Sequence, residues 1–318
     1  VKYKFVTVLH NMKIDSRLNK GIEIQPGTRI SNGKEVLSEI LNTDLMRETA
    51  GFHSINEFNG TVYFYKYGEF ADITTLDEMD QKGWLYNFAF LREAQGFVTD
   101  LWGVKDNGIY VRDGFLLAYE DNVENGHTYK SSLSAIFTHS SGKISDFEFS
   151  RDEIALAINS FDPFSLDEID EDGQYPKYPV NDHFFKNSGY DRIHKAQYFT
   201  LDARGNTALP MKIVLYCTAL ECLFSTSKSE ITHKISERVA VLLGTSTEER
   251  KELSKFIKKA YGYRSTIIHG SNLSGSEDRL VEVSTRLDNI LRQLILGNHE
   301  VFSKTNEDID DYFLDLLF

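Results

Sequence analysis

Five dipeptides, Asn32-Gly33, Asn59-Gly60, Asn107-Gly108, Asp113-Gly114 and Asn125-Gly126, punctuate the first 126 residues and constrain the fold of that stretch more than any other feature. Asn, Asp and Gly tolerate the positive φ of tight turns, so apolar runs set between such pairs read as strands joined by turns. The runs are Lys4 to Leu9, Ile22 to Gln25, Thr61 to Tyr67, Ile109 to Tyr119 and Thr128 to Phe137. Helical patterns interrupt them at about Lys34 to Leu41 and Lys82 to Leu101, and another, Arg151 to Phe161, follows. The second of these carries Trp84, Leu85, Phe88, Leu91, Phe97, Val98 and Leu101 and is expected to pack on the sheet.

From His183 onward the period changes to that of helices. Helices are expected at about Tyr190 to Asp202, Leu209 to Phe224, Ile231 to Leu243, Glu248 to His269 and Leu280 to Leu296. An acidic stretch with Pro163, Pro176 and Pro179 separates the halves and reads as a linker. Within it, Glu168-x-Asp170-x-Asp172-Gly173 has the outline of a calcium loop, but its first position is Glu and its twelfth is Pro179 where a bidentate Glu is needed. At 318 residues the chain has room for two domains. These readings divide it into an α+β domain over 1–162, a linker over 163–182 and an all-α bundle over 183–318.

A formal charge of -13 argues against a protein that coats nucleic acid through dense Lys and Arg. A local basic surface is nonetheless available from Lys228, Lys234, Arg238, Arg250, Lys251, Lys255, Lys258, Lys259 and Arg264. Cys217 and Cys222 lie in one apolar helical segment, which fits core thiols in a reducing cytoplasm better than a disulfide framework. No apolar run is long enough to span a membrane, and Val1 to Val8 alternates like a strand instead of a signal peptide. Walker, dinucleotide-binding, nucleophile-elbow and paired-His motifs are absent, and no cofactor or metal is expected.

The segment Tyr261-Gly-Tyr-Arg-Ser-Thr-Ile-Ile-His-Gly270 places Arg264 and His269 at a predicted helix end, with Gly270 as the terminating residue. Five residues put the two side chains about 140° apart on a regular helix. They converge only if the helix loosens near Gly270 or a second chain completes the site. Ser265 and His269, at i and i+4, are direct neighbours. Glu221 stands out in an otherwise apolar helix, because a buried carboxylate needs a partner, and Arg264 or Arg238 is expected to supply it. His233, one turn from Glu237, is a weaker candidate for the same neighbourhood.

The order Thr218-Ala-Leu-Glu-Cys-Leu-Phe224, then Ile235-Ser-Glu-Arg-Val-Ala-Val-Leu-Leu-Gly244, then Tyr261 to Gly270 resembles the HEPN superfamily, and most of all its Apea-like branch, over about the last 140 residues. The resemblance implies an α+β N-terminal domain followed by an all-α HEPN-like helical bundle. It further implies a metal-independent endoribonuclease of toxin or antiviral-defence type, assembled across a homodimer. Carried over residue by residue, it makes Arg264 and His269 the catalytic pair, Ser265 the adjacent polar residue and Glu221 the associated acid. Lys255, Lys258, Lys259 and Arg238 would contact RNA, and the N-terminal domain would sense a trigger or a regulatory partner. The rival expectation is a catalytically silent HEPN module used for dimerisation or nucleotide or RNA binding, with recognition left to the N-terminal domain.

Overall fold

The computed structural model describes residues 1–162, 191–273 and 276–316. Described residues fall into two compact units. The first contains Val1–Phe137 together with the stretch from Ile144 to residue 162; the second contains Thr138–Lys143 and the helices from residue 191 onward. The expected linker, the calcium-loop look-alike and His183 lie outside the described residues.

The first unit is built on an antiparallel six-stranded sheet of order β3-β4-β5-β1-β6-β7, with β1 Lys2–Leu9, β3 Ile22–Gln25, β4 Thr28–Ser31, β5 Val62–Glu69, β6 Asp113–Tyr119 and β7 His127–Ser132. β2 (Met12–Ile14) and β8 (Phe147–Phe149) form a separate parallel pair. Alternation of side chains sends Val6, Val8, Tyr63, Tyr65, Phe115 and Leu117 to one face, where α1 (Lys34–Leu41) and α2 (Asp44–Glu57) bury them with Ile40, Leu41, Met46 and Phe58. On the opposite face Tyr3 and Phe5 meet Phe90 of α3 (Leu76–Val104) at ring distances of 5.1 and 5.6 Å. Buried Asn87 pins α3 to the sheet by donating to the Gly114 and Tyr129 carbonyls at 3.0 and 3.1 Å. α4 (Arg151–Ser160) begins with a full capping box from Ser150 and Glu153 and packs on α3.

The turn chemistry differs from expectation. Of the five Asn-Gly and Asp-Gly pairs only Asn59-Gly60 uses a left-handed glycine, while Gly114 lies buried within β6 and Gly33 precedes α1 with an ordinary φ. These residues permit positive φ without requiring it. The β3–β4 hairpin instead turns at Pro26-Gly27, where Gly27 has φ 76° and proline fixes the preceding corner, as in a type II turn. Residues 44–57, for which the sequence suggested no helix, are helical on both sides of a kink at Gly51.

The second unit is helical: α5 Arg192–Arg204, α6 Leu209–Phe224, α7 Ile231–Leu243, α8 Thr247–Ile268, α9 Glu277–Gly297 and α10 Asn306–Asp315. α6 is the central rod and touches α5, α7, α8 and α9, which explains why it is apolar almost all round. The short segment Thr138–Lys143 is part of this unit. Thr138 donates its amide to the Arg204 carbonyl at 2.8 Å, Lys212 Nζ donates to the Ala203 and Thr138 carbonyls at 2.9 and 3.4 Å, and Ser284 Oγ donates to the Ser140 carbonyl at 2.6 Å. The acidic tail folds as α10 on its own chain, burying Ile309 and Phe313, with Phe224 at 6.0 Å from Phe313.

Candidate functional site

The motif closes α8. His269 is the C-cap, Gly270 takes φ 68°, and the amides of Gly270 and Ser271 return to the Ile267 and Thr266 carbonyls at 3.1 and 3.0 Å. That pair of bonds is a Schellman ending, which only glycine enters without strain. The helix therefore stays regular through Ile268, and no loosening draws Arg264 and His269 together within one chain.

Arg264 turns inward. Its guanidinium lies 3.3 Å from Glu221 Oε1 of α6, so of the two expected partners for this carboxylate it is Arg264 that serves. Buried Tyr261, one turn earlier, donates its hydroxyl to the Cys217 carbonyl at 3.1 Å. Burial raises the pKa of Glu221, opposed by the Arg264 charge and the Tyr261 hydroxyl. Burial also pushes the Cys222 thiol up to about 11, and Cys217 is fully buried, so both behave as core thiols.

Arg264, Glu221 and Tyr261 line an open cleft of about 470 Å³ with Lys228, Glu230, Ile231, Thr232 and His233. Arg264 Nε is buried without a hydrogen-bond acceptor. α7 starts on this cleft, with Glu230 in a left-handed conformation (φ 55°) and no side-chain cap on the first-turn amides. Partial positive charge from that helix end adds to Lys228 and Arg264. The cleft thus sets Lys228 and Arg264 against Glu221 and Glu230, with unfilled donors at the start of α7 and on a guanidinium already oriented by Glu221.

His269 and Ser265 are exposed and outside this cleft. At about 100° per residue, Lys255, Lys258, Gly262, Ser265 and His269 fall within an arc of about 80°, with Arg264 on the far side of the helix. All five are exposed, and a methyl group added at Gly262 would meet nothing within 4 Å. Lys259 flanks the stripe and pairs with Glu282 at 3.6 Å.

Arg238 does not belong to the basic surface. It is 6 % exposed, donates to the Phe224 carbonyl and Thr226, and pairs with Asp310 of α10. Its charge is used in docking α10, which leaves no face for RNA. His233, the weaker candidate, does line the Arg264 cleft. Of the other histidines, His127 and His194 pair with Asp80 and Asp191 at 2.7 and 2.8 Å, and His10 stacks on Tyr110. Among the described residues no three His, Cys, Asp or Glu side chains form a group able to hold a metal ion, and no helix is long and apolar enough to cross a membrane.

Glu230 and Thr232 were not singled out by the sequence. Their only signal is position, at the uncapped start of a helix that follows the end of α6 by a few residues. No family model, no curated protein and no solved structure matches this chain.

Proposed function

We propose that the protein is a metal-independent endoribonuclease of toxin or antiviral-defence type, acting as a homodimer in the cytoplasm, with its N-terminal unit responding to a trigger or partner. One observation carries the reading: Arg264 opens on a cleft that also holds Lys228 and the uncapped start of α7, while His269 stands on the opposite side of a regular helix, in an exposed basic stripe that has no partner among the described residues. A two-fold dimer through the α8 ends supplies each Arg264 cleft with a histidine from the other copy. The likeness of motif order to HEPN proteins supports the same arrangement.

In the reaction, His269 takes the proton of an RNA 2′-hydroxyl, whose oxygen then attacks the adjacent phosphorus. The bond from phosphorus to the 5′-oxygen breaks, and that oxygen leaves with a proton. Arg264 holds the phosphate oxygens as charge builds on them, and Glu221 fixes the guanidinium plane. Ser265 orients His269 from one turn away, and Lys255 and Lys258 guide the strand. The products are a 2′,3′-cyclic phosphate and a 5′-hydroxyl.

The test is cleavage of mixed RNA by purified protein with and without EDTA, with end-group analysis of the products. Cleavage that persists in EDTA and leaves cyclic phosphate ends is expected; magnesium-dependent cleavage leaving a 5′-phosphate overturns the mechanism. The Arg264–Glu221 ion pair favours a second reading, a silent module in which this pair only braces α6 against α8. That reading gains if the wild-type protein binds RNA and leaves it intact.

A further inference from the structure

The open end of the sheet in the first unit holds a second cavity, of about 550 Å³. It shares no residue with the motifs of the helical unit. Cross-strand register builds its floor: Lys4 stands opposite Tyr67, Lys2 opposite Glu69 and Tyr119, and Arg29 opposite Tyr65. α1 covers the neighbouring part of this face and supplies a wall through Val36, Glu39 and Ile40, and Lys20 closes the rim. The hydroxyl of Tyr65 donates to the Lys20 carbonyl at 2.9 Å, which fixes that rim to the floor.

Two properties define what fits. Four cations, Lys2, Lys4, Lys20 and Arg29, face two carboxylates, Glu39 and Glu69, in a chain whose formal charge is -13. Lys4 is engaged by Glu39 at 2.8 Å and Arg29 by Glu23 at 3.2 Å, whereas Lys2 and Lys20 make no ion pair among the described residues. The second property is aromatic. Tyr67 stacks on Tyr65 with rings 6.2 Å apart and 19° from parallel, and Tyr67 is 48 % exposed, which leaves ring surface free for a planar group.

We propose that this cavity binds a nucleotide, with the base stacked on Tyr67 and a phosphate monoester held by Lys2 and Lys20. Base stacking on an aromatic side chain standing on a sheet, beside cations that take the phosphate, uses both properties together. An acidic peptide uses only the charges, and a neutral ring uses only the tyrosine. The volume falls in the range of small-ligand pockets. The inference does not depend on whether the helical unit cleaves RNA.

Isothermal titration of the full chain with adenosine 5′-monophosphate tests it, with adenosine and inorganic phosphate titrated separately. The nucleotide is expected to bind at least about tenfold tighter than either part, because each part uses one half of the cavity. Lys2→Glu and Lys20→Glu, both exposed positions, are expected to weaken it about tenfold, with weaker binding also at higher salt. Tyr67→Thr removes the ring but keeps a residue that favours strands, and should remove the preference over phosphate alone. Competition with a short oligonucleotide distinguishes the source of the monoester. Displacement only by the 5′-phosphorylated form assigns it to a strand end, and displacement by neither form assigns it to a free nucleotide. No binding at millimolar nucleotide, phosphate alone binding equally well, or affinity unchanged in the Lys2, Lys20 and Tyr67 variants with unaltered circular dichroism would overturn the proposal.

Discussion

Arg264 and His269 make different demands on their surroundings, and substitutions should separate them. His269 is exposed, so His269→Ala is expected to leave the melting temperature unchanged while RNA cleavage falls by about 10²- to 10⁴-fold, the usual worth of proton transfer. Arg264→Lys keeps the charge opposite Glu221 but loses the planar fork, and should lose cleavage as well. A histidine variant with full activity would remove it from the mechanism. Asp100 of α3 offers a check on the scaffold. Burial, aided by the charge of Asp162, pushes its carboxyl up to about 7. An acid with a raised folded pKa binds its proton more tightly in the native state, so its contribution destabilises above pH 7 and is relieved as pH falls toward the ordinary carboxylate range. The full shift would be worth about 4 kcal/mol, and partial exposure reduces it to on the order of 1 to 2 kcal/mol. Urea unfolding should therefore show Asp100→Asn more stable than wild type at pH 8 and equal to it near pH 4.

At the scale of elements, α8 carries both the motif and a test of the dimer. Gly262 lies in mid-helix with open space beyond its Cα, so Gly262→Ala should stabilise the monomer by up to about 1 kcal/mol. If the Lys255-to-His269 stripe is the two-fold seam, the same methyl group should weaken dimerisation measured by light scattering. The bounds of α6 and α7 match the sequence expectation because their signals are local: Pro210 near the start of one, Gly244 after the other, and an apolar pattern between. β2 and β8 are too short to show a period, and Gly51 hid α2 because a left-handed glycine inside a helix looks like its end. The motif and the Glu221–Arg264 pairing were legible, since a carboxylate in an apolar helix requires a nearby cation. The burial of Arg238 was not, because its partner Asp310 lies 72 residues away in a tail with no fixed place in a linear reading. The Tyr67 cavity was equally hidden, being assembled by strand register from four separate strands.

For the whole molecule, the separation of Arg264 from His269 in one chain predicts complementation. Arg264→Ala and His269→Ala proteins should each be inactive alone, and mixing them under conditions of subunit exchange should restore part of the cleavage. Continued inactivity of a mixture shown to contain heterodimers would count against a site shared between copies, as would a fully active wild-type monomer at micromolar concentration. The regulatory reading of the first unit has its own expected outcome: a helical fragment that retains segment 138–143 should cleave RNA at least as fast as the full chain.

That segment also changes what it means to separate the halves. The chain leaves the first unit at Phe137, lends six residues to the helical unit, and returns at Ile144 before its final crossing. A protease nick within 163–190 would therefore not free the helical half: the amino-terminal fragment would keep hold of it through the Thr138, Ser140 and Lys212 bonds, and the two pieces should co-elute. Recombination at the same place would graft foreign helices onto a strap shaped for other carbonyls. Exchanging either unit alone would part this strap from the carbonyls and side chains it is built to meet.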